Sequence, residues 1–271
     1  MVDSSTRSPQ GLAASLHDSY SKSMAQATSP AISAIITSYN CAEYISDAIE
    51  SVRRQTVRPA EIIVVDDGST DETRELVQAL GGDIRYFHQG NSGEAAARNR
   101  GVAVSRGDII AFLDADDAWL PERLAVLSKR LIEDDAVSIV CGRARAFKDQ
   151  SWTVALAAGP ARPEAFLMSF GCALIRRHVF HLIGEVDVAM QHCVDLDWFL
   201  RCREQKVPIA TVDDVVLLYR RHERNMTRNF AAGQEGLMLA VKQSLERRRR
   251  NNIPAGSLPA WESLGRDKAG S

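Results

Sequence analysis

The chain has 271 residues and a formal net charge of −2, with 45% hydrophobic and 25% charged side chains. That length suits one sizeable α/β domain, with or without a small appendage, and the composition is that of an ordinary soluble globular protein. The near-neutral balance excludes any global case for nucleic acid or an acidic polymer as partner, which would need a local basic patch.

Residues 1–29 are rich in Ser, Ala and Gln, lack the basic-then-apolar layout of a signal peptide, and are expected to form a mobile tail. Order is expected from Pro30. The run AISAIITSYN reads as a buried strand ending at Ser38–Asn40. Asn40 and Glu43 then read as a capping box for a helix along Ile45, Ala48, Ile49 and Val52. EIIVVDDGST is a second apolar strand, with Ser69 and Glu72 placed to cap a second helix. DIRYFHQ (83–89) reads as a strand, NSG (91–93) as a turn and EAAARNRGVAVS as a third helix.

GDIIAFLDADD follows as a strand, then a helix restarting at Pro121 with Leu120, Leu124, Leu127 and Leu131 on one face. VSIVCG (137–142) is a further strand. In the second half, residues 171–176 read as a strand, VDLDWFLRCREQ (194–205) as a helix, and PIATVD and VVLLYRRH as two strands. A last helix begins near Gly236 and ends in Arg247–Arg250.

Strands and helices alternate at short intervals, and the strands are apolar throughout. This predicts an α/β fold with a mostly parallel sheet flanked by helices. Ligands of such sheets sit outside the carboxyl ends of the strands. Here those ends read TSYN, VDDGS and LDADD. No apolar run approaches a membrane span. The cysteines Cys41, Cys141, Cys172, Cys193 and Cys202 form no CxxC pair and read as reduced thiols of a cytoplasmic protein.

Several motifs carry chemistry, each beside a plainer reading. In LDADD, alternation along a strand would turn Asp114 and Asp116 to one side. Two converging carboxylates call for a hard divalent cation, which takes oxygen ligands and shares them with phosphates; alternatively, Asp116 or Asp117 caps the following helix. In VDDGST, an acidic residue could accept hydrogen bonds from a ribose or a base, or could serve only a turn. In NSGEAAARNRG, Arg98 and Arg100 could hold a diphosphate or the Asp114 side chain, or simply face solvent. Asp195 and Asp197 open a helix and so suit its dipole, and Arg220, Arg221 and His222 follow the last strand.

Taken in this order, TSYN, VDDGSTDET, NSGEAAARNRG, LDADD and VDLDWFLR resemble glycosyltransferase family 2, enzymes of the GT-A (Rossmann-like) fold. The resemblance runs from about Pro30 to about Asn229, close over its first hundred residues and loose beyond. It implies a nucleotide-sugar-binding half (30–145), a smaller acceptor-binding and catalytic half (146–230), and a C-terminal helix and tail (231–271). Thr37, Tyr39, Asp66 and Asp67 would line the nucleoside pocket, with Asp67 favoured for the base or ribose and Arg98 supporting it. Asp114-Ala115-Asp116 would be the DxD motif: Asp114 near the ribose and the metal, Asp116 on Mn²⁺ or Mg²⁺ bridging the diphosphate. His222 would stand at the metal or phosphate. The family's later motif places Glu-Asp where this chain has Val194-Asp195, which leaves Asp195 as the candidate base and Asp197 as the alternative.

The implied function is metal-dependent, inverting transfer of a sugar from a nucleoside-diphosphate sugar to an acceptor hydroxyl, in cell-surface or secondary glycan biosynthesis. UDP is the favoured nucleotide, beside GDP and dTDP. The acceptor could be a saccharide, lipid-linked saccharide, metabolite or peptide. The competing reading is a non-catalytic nucleotide-sugar-binding protein that kept the pocket and lost the base. A dehydrogenase or P-loop NTPase would need GxGxxG or GxxxxGK[ST], and neither is present. Finally, GLMLAVKQSLERRRR joins an apolar stretch to a basic end, so this helix could rest on the inner face of a membrane or be a plain solvated end.

Overall fold

A computed structural model describes residues 30–148, 151–158, 165–166, 168–225, 230–254 and 257–258. The expected mobile tail, residues 1–29, lies outside them. The four N-terminal apolar runs form β1 (Ile32–Ser38), β2 (Glu61–Asp66), β3 (Ile84–His88) and β4 (Ile109–Asp114), all parallel, in the order β3-β2-β1-β4. Between them run α1 (Ile45–Arg53), α2 (Thr73–Ala79) and α3 (Glu94–Val104).

The second half is mixed. It contains β5 (Ala118–Trp119), α4 (Arg123–Glu133), β6 (Ile139–Lys148), α5 (Trp152–Ala158), β7 (Ala165–Phe166), β8 (Ala173–Arg176), α6 (His178–Ile183), α7 (Val194–Glu204), β9 (Ile209–Arg221) and α8 (Phe230–Arg250). The sheet continues β4-β8-β6-β9-β5, with β7 on β6. Here β8 runs antiparallel to β4 and β6, while β6 and β9 are parallel. The boundary expected near 145 falls inside β6, and both halves share one core.

Alternation along β1 sorts that core into two layers. Ile32, Ala34 and Ile36 join Ile45, Ile49 and Val52 of α1 and Leu124, Leu127 and Leu131 of α4. Ile35 joins Ala95 and Ala97 of α3, Phe180 of α6, and Trp198, Phe199 and Cys202 of α7. Helices therefore cover both faces, which is why these strands read as continuous apolar runs.

Four local expectations are corrected. Asn40 does not open a helix: it is left-handed (φ 49°), its Oδ1 accepts from the Thr70 N–H, and α1 starts at Ile45. Ser69 does not cap α2; its Oγ accepts from the Asn40 N–H, and Asp71 bonds the Thr73 N–H instead. PIATVD and VVLLYRRH are one strand, β9. The exposed Asp213, where the two runs meet, is bonded by Arg143 of β6, at an irregularity in the β6–β9 register. The last helix begins at Phe230, ahead of Gly236.

Register positions the site. Thr37 of β1 pairs with Asp114 of β4, and Ser38 pairs with Asp66 of β2. Three polar strand ends therefore finish level at one edge of the sheet, beside the point where the strand order reverses.

Candidate active site

At that edge the Thr37 hydroxyl donates to Asp114 Oδ1 at 3.2 Å, and Tyr39 stands half-exposed beyond the strand. The two aspartates at the end of β2, Asp66 on the strand and Asp67 just after it, are turned inward. Asp66 is fully buried, accepts from the Ser69 N–H at 2.8 Å and takes the Tyr86 hydroxyl. Asp67 accepts from Gln89 Nε2 (2.7 Å) and from the Ser92 (2.9 Å) and Gly93 (2.7 Å) N–H groups, so it holds the turn that leads into α3. Gly68, at φ 86°, makes this packing feasible, because a Cβ there would lie 2.7 Å from the Asn91 nitrogen.

Arg98 of α3 is the hub. Its guanidinium is 1% exposed and lies over the Phe170 ring at 5.0 Å. One amino group donates to Asp114 (2.9 Å), the other to Asp195 (2.8 Å), and Glu94 joins as a third carboxylate. Three acids around one guanidinium leave excess negative charge. Burial, with the Asp114 and Asp195 charges opposed by Arg98, pushes Glu94 up to about 8. Burial and the charge of Asp116 likewise raise Asp114, against the pull of Arg98. Glu94 was missed by the sequence reading because at the mouth of a helix it is indistinguishable from ordinary N-terminal charge. Arg100 reaches Gln89 at 3.5 Å and lies over the Phe87 ring at 5.8 Å, away from the carboxylates that meet Arg98.

Asp195 lies in the first turn of α7, where the dipole favours a carboxylate. Its other oxygen accepts from the Phe170 N–H at 2.9 Å, so both oxygens are held in place. Cys193, just before the helix, is left-handed at φ 57°, a conformation that costs a non-glycine residue about 1–2 kcal/mol. Asp197 faces elsewhere. Its side chain is 2% exposed and ion-paired with Arg201 at 3.0 Å and with Arg247 of α8 at 2.8 Å. It secures α7 to α8 and is not presented to the crevice.

Asp116 sits in the turn after β4 rather than on the strand, so strand alternation does not aim it. Its Oδ2 meets His222 Nε2 at 2.9 Å, and Arg224 N–H donates to His222 Nδ1 at 3.2 Å. With Nδ1 taking the Arg224 N–H, Nε2 is the nitrogen turned toward Asp116 and the Asn225 amide. Asn225, also missed by the sequence reading, accepts from the His222 N–H at 2.6 Å and extends its amide to Asp116 at 3.4 Å. Arg220 bonds the Asp116 carbonyl and Asp47, and its guanidinium lies between the Tyr44 (4.7 Å) and Phe147 (4.8 Å) rings. Asp117 accepts from the Arg220 N–H. Neither Asp116 nor Asp117 caps α4, whose N-cap is Glu122.

Residues 33–183 match the model of Glycosyl transferase family 2, more than half of the chain. The chain belongs to this family. Among relatives, an uncharacterized glycosyltransferase of Nostoc is 44% identical over 115 residues, 41% of this chain and 34% of that one. Chondroitin synthase of Pasteurella multocida is 28% identical over 82% of this chain and 24% of its own. The first curated relatives are matched over only 18% to 37% of their lengths. Among solved structures, S. aureus TarS in complex with UDP-GlcNAc superposes with a TM-score of 0.60 at 17% identity, covering 78% of this chain and 65% of that one. This likeness bears out the expected GT-A fold.

Among the described residues, no three His, Cys, Asp or Glu side chains converge on a metal position. The Asp116 carboxylate, with His222 beside it at 2.9 Å, nevertheless fits Mn²⁺ or Mg²⁺, which bind through one or two carboxylates plus substrate phosphates and water. Asp114 is less available to a cation, being committed through Oδ1 to Thr37 and Arg98. No helix among the described residues is long and apolar enough to cross a membrane.

Proposed function

We propose that this family 2 chain transfers a sugar from a nucleoside-diphosphate sugar, UDP-linked by preference, to an acceptor hydroxyl with inversion. The observation that carries this reading is the shared guanidinium of Arg98, which ties the donor-side carboxylate Asp114 to Asp195 across one crevice. Inversion needs one base opposite the leaving group and no protein nucleophile. Asp195, held on both oxygens and still 22% exposed, suits that task. Thr37 and Tyr39 would receive the nucleoside, with Asp67 supporting the neighbouring turn.

Asp116 and His222 would hold a divalent cation, Mn²⁺ or Mg²⁺, which when bound neutralises charge on the departing diphosphate. The neighbouring TarS structures with UDP and UDP-GlcNAc support a nucleotide-sugar donor. Five free thiols support a cytoplasmic setting. The test is release of free nucleotide from UDP-GlcNAc and UDP-glucose, with and without simple saccharide acceptors. Turnover supports the reading; donor binding without transfer or hydrolysis would leave the non-catalytic alternative.

A further inference from the structure

The helix α8 has two faces of different character. Its inner face packs on α7. Ala240 and Ser244 are buried there, Arg247 pairs with Asp197 and Glu204, and Gly236 approaches His192 so closely that a Cβ would meet its backbone oxygen at 2.9 Å. The helix is therefore clamped to the element that carries Asp195 and to the loop before it.

The outer face exposes an apolar stripe. Met238 (73% exposed), Val241 and Leu245 follow one another at helical spacing. Lys242, Arg248 and Arg249 flank the same stripe, while the acids of this helix, Glu235 and Glu246, lie to one side of it. Beyond Leu245 a cleft of about 390 Å³ is lined by Leu245, Arg248, Arg249, Asn252, Ile253 and Pro254. Its walls combine apolar groups with two guanidinium-bearing side chains. Arg203 of α7 adds positive charge: its pKa is lowered by burial and by the nearby Arg248 charge. Crowded cations beside an exposed apolar stripe complement an anionic surface with an apolar interior.

We propose that the outer face of α8 docks this chain on an anionic phospholipid bilayer, with Met238, Val241 and Leu245 entering the interface and Arg248 and Arg249 meeting lipid phosphates. Arg247, first of the arginine run, is not part of this surface because it is spent on Asp197 and Glu204. Docking does not depend on the transferase reading. Together with that reading, it would hold the helix that carries Asp195 close to the membrane and favours a lipid-linked acceptor.

The test is co-sedimentation of the full chain with phosphatidylcholine vesicles and with phosphatidylcholine–phosphatidylglycerol vesicles. Binding to the mixed vesicles, weakening as salt rises, is expected. The pair Met238→Ser and Leu245→Ser should weaken it by about tenfold or more, as should Arg248→Gln with Arg249→Gln, at unchanged melting temperature. No binding to the anionic vesicles, or binding indifferent to both pairs, would overturn the proposal. Dimerisation abolished by Met238→Ser and Leu245→Ser, without vesicle binding, would assign the face to a second copy instead. Vesicle binding by Asp195→Asn should match the parent, so a failed transfer assay leaves this result interpretable.

Discussion

Arg98 donates to Asp114 through one amino group and to Asp195 through the other, at 2.9 and 2.8 Å. One buried cation thus sets the distance between Asp114 and the candidate base. Only a guanidinium can do this, because a lysine ammonium lacks the planar fork. Arg98→Lys is expected to lower kcat by about 10²-fold or more through the misplaced base. Loss of part of a buried ion network should also cost up to about 3–5 kcal/mol of stability. Steady-state kinetics and denaturant unfolding of the same preparation separate the two effects.

Asp195 and Asp197 are two residues apart and should respond in opposite ways. Asp195→Asn is expected to reduce transfer by about 10²–10⁴-fold while nucleotide binding persists. Asp197→Asn strips the charge from a buried partner of Arg201 and Arg247. It should destabilise by about 3–5 kcal/mol yet leave turnover per folded molecule near normal. The reverse pattern would move the base to Asp197.

Glu94 gives a pH signature in the ligand-free protein. Its folded-state pKa, about 8, lies above the unfolded value, so the folded state holds this proton more tightly. The stabilising contribution is complete below the unfolded pKa and is lost as pH rises through about 8. Glu94→Gln keeps the shape without the charge. Its melting temperature should exceed that of the parent above pH 8, with the difference shrinking toward acid. A difference independent of pH would contradict the assignment.

Asn225 orients His222 and touches Asp116 without being a ligand in this reading. Asn225→Ala should raise the Mn²⁺ concentration needed for a nucleotide-induced melting shift by about 10- to 100-fold. The same substitution should leave the shift at saturating metal intact. His222→Ala should have the larger effect.

Much of this was legible in the sequence for identifiable reasons. β1, β2 and β4 announce themselves because strands covered on both faces need unbroken apolar runs, and a chain ends such runs in carboxylates only where the edge is used. What escaped depended on distant partners. Asp71 rather than Ser69 bonds Thr73, and Asn40 bonds Thr70 instead of opening α1; local capping rules cannot see that these two loops bind each other. The antiparallel insertion of β8 between β4 and β6 leaves no local trace in ALIR. Glu94 was missed because the guanidinium it shares reaches Asp195, 97 positions from Arg98, and Asn225 because its partner Asp116 lies 109 positions away in sequence.

The decisive measurement is a thermal melt of the intact chain with UDP, UDP-GlcNAc, GDP and dTDP, each with and without Mn²⁺. A ligand bound only to the folded state raises the melting temperature by mass action. One nucleotide should raise it only when the metal is present, and Asp116→Ala should abolish the shift. Well-folded protein that shows no shift with any nucleotide in the presence of Mn²⁺ would contradict the donor site at Asp114, Asp116 and His222.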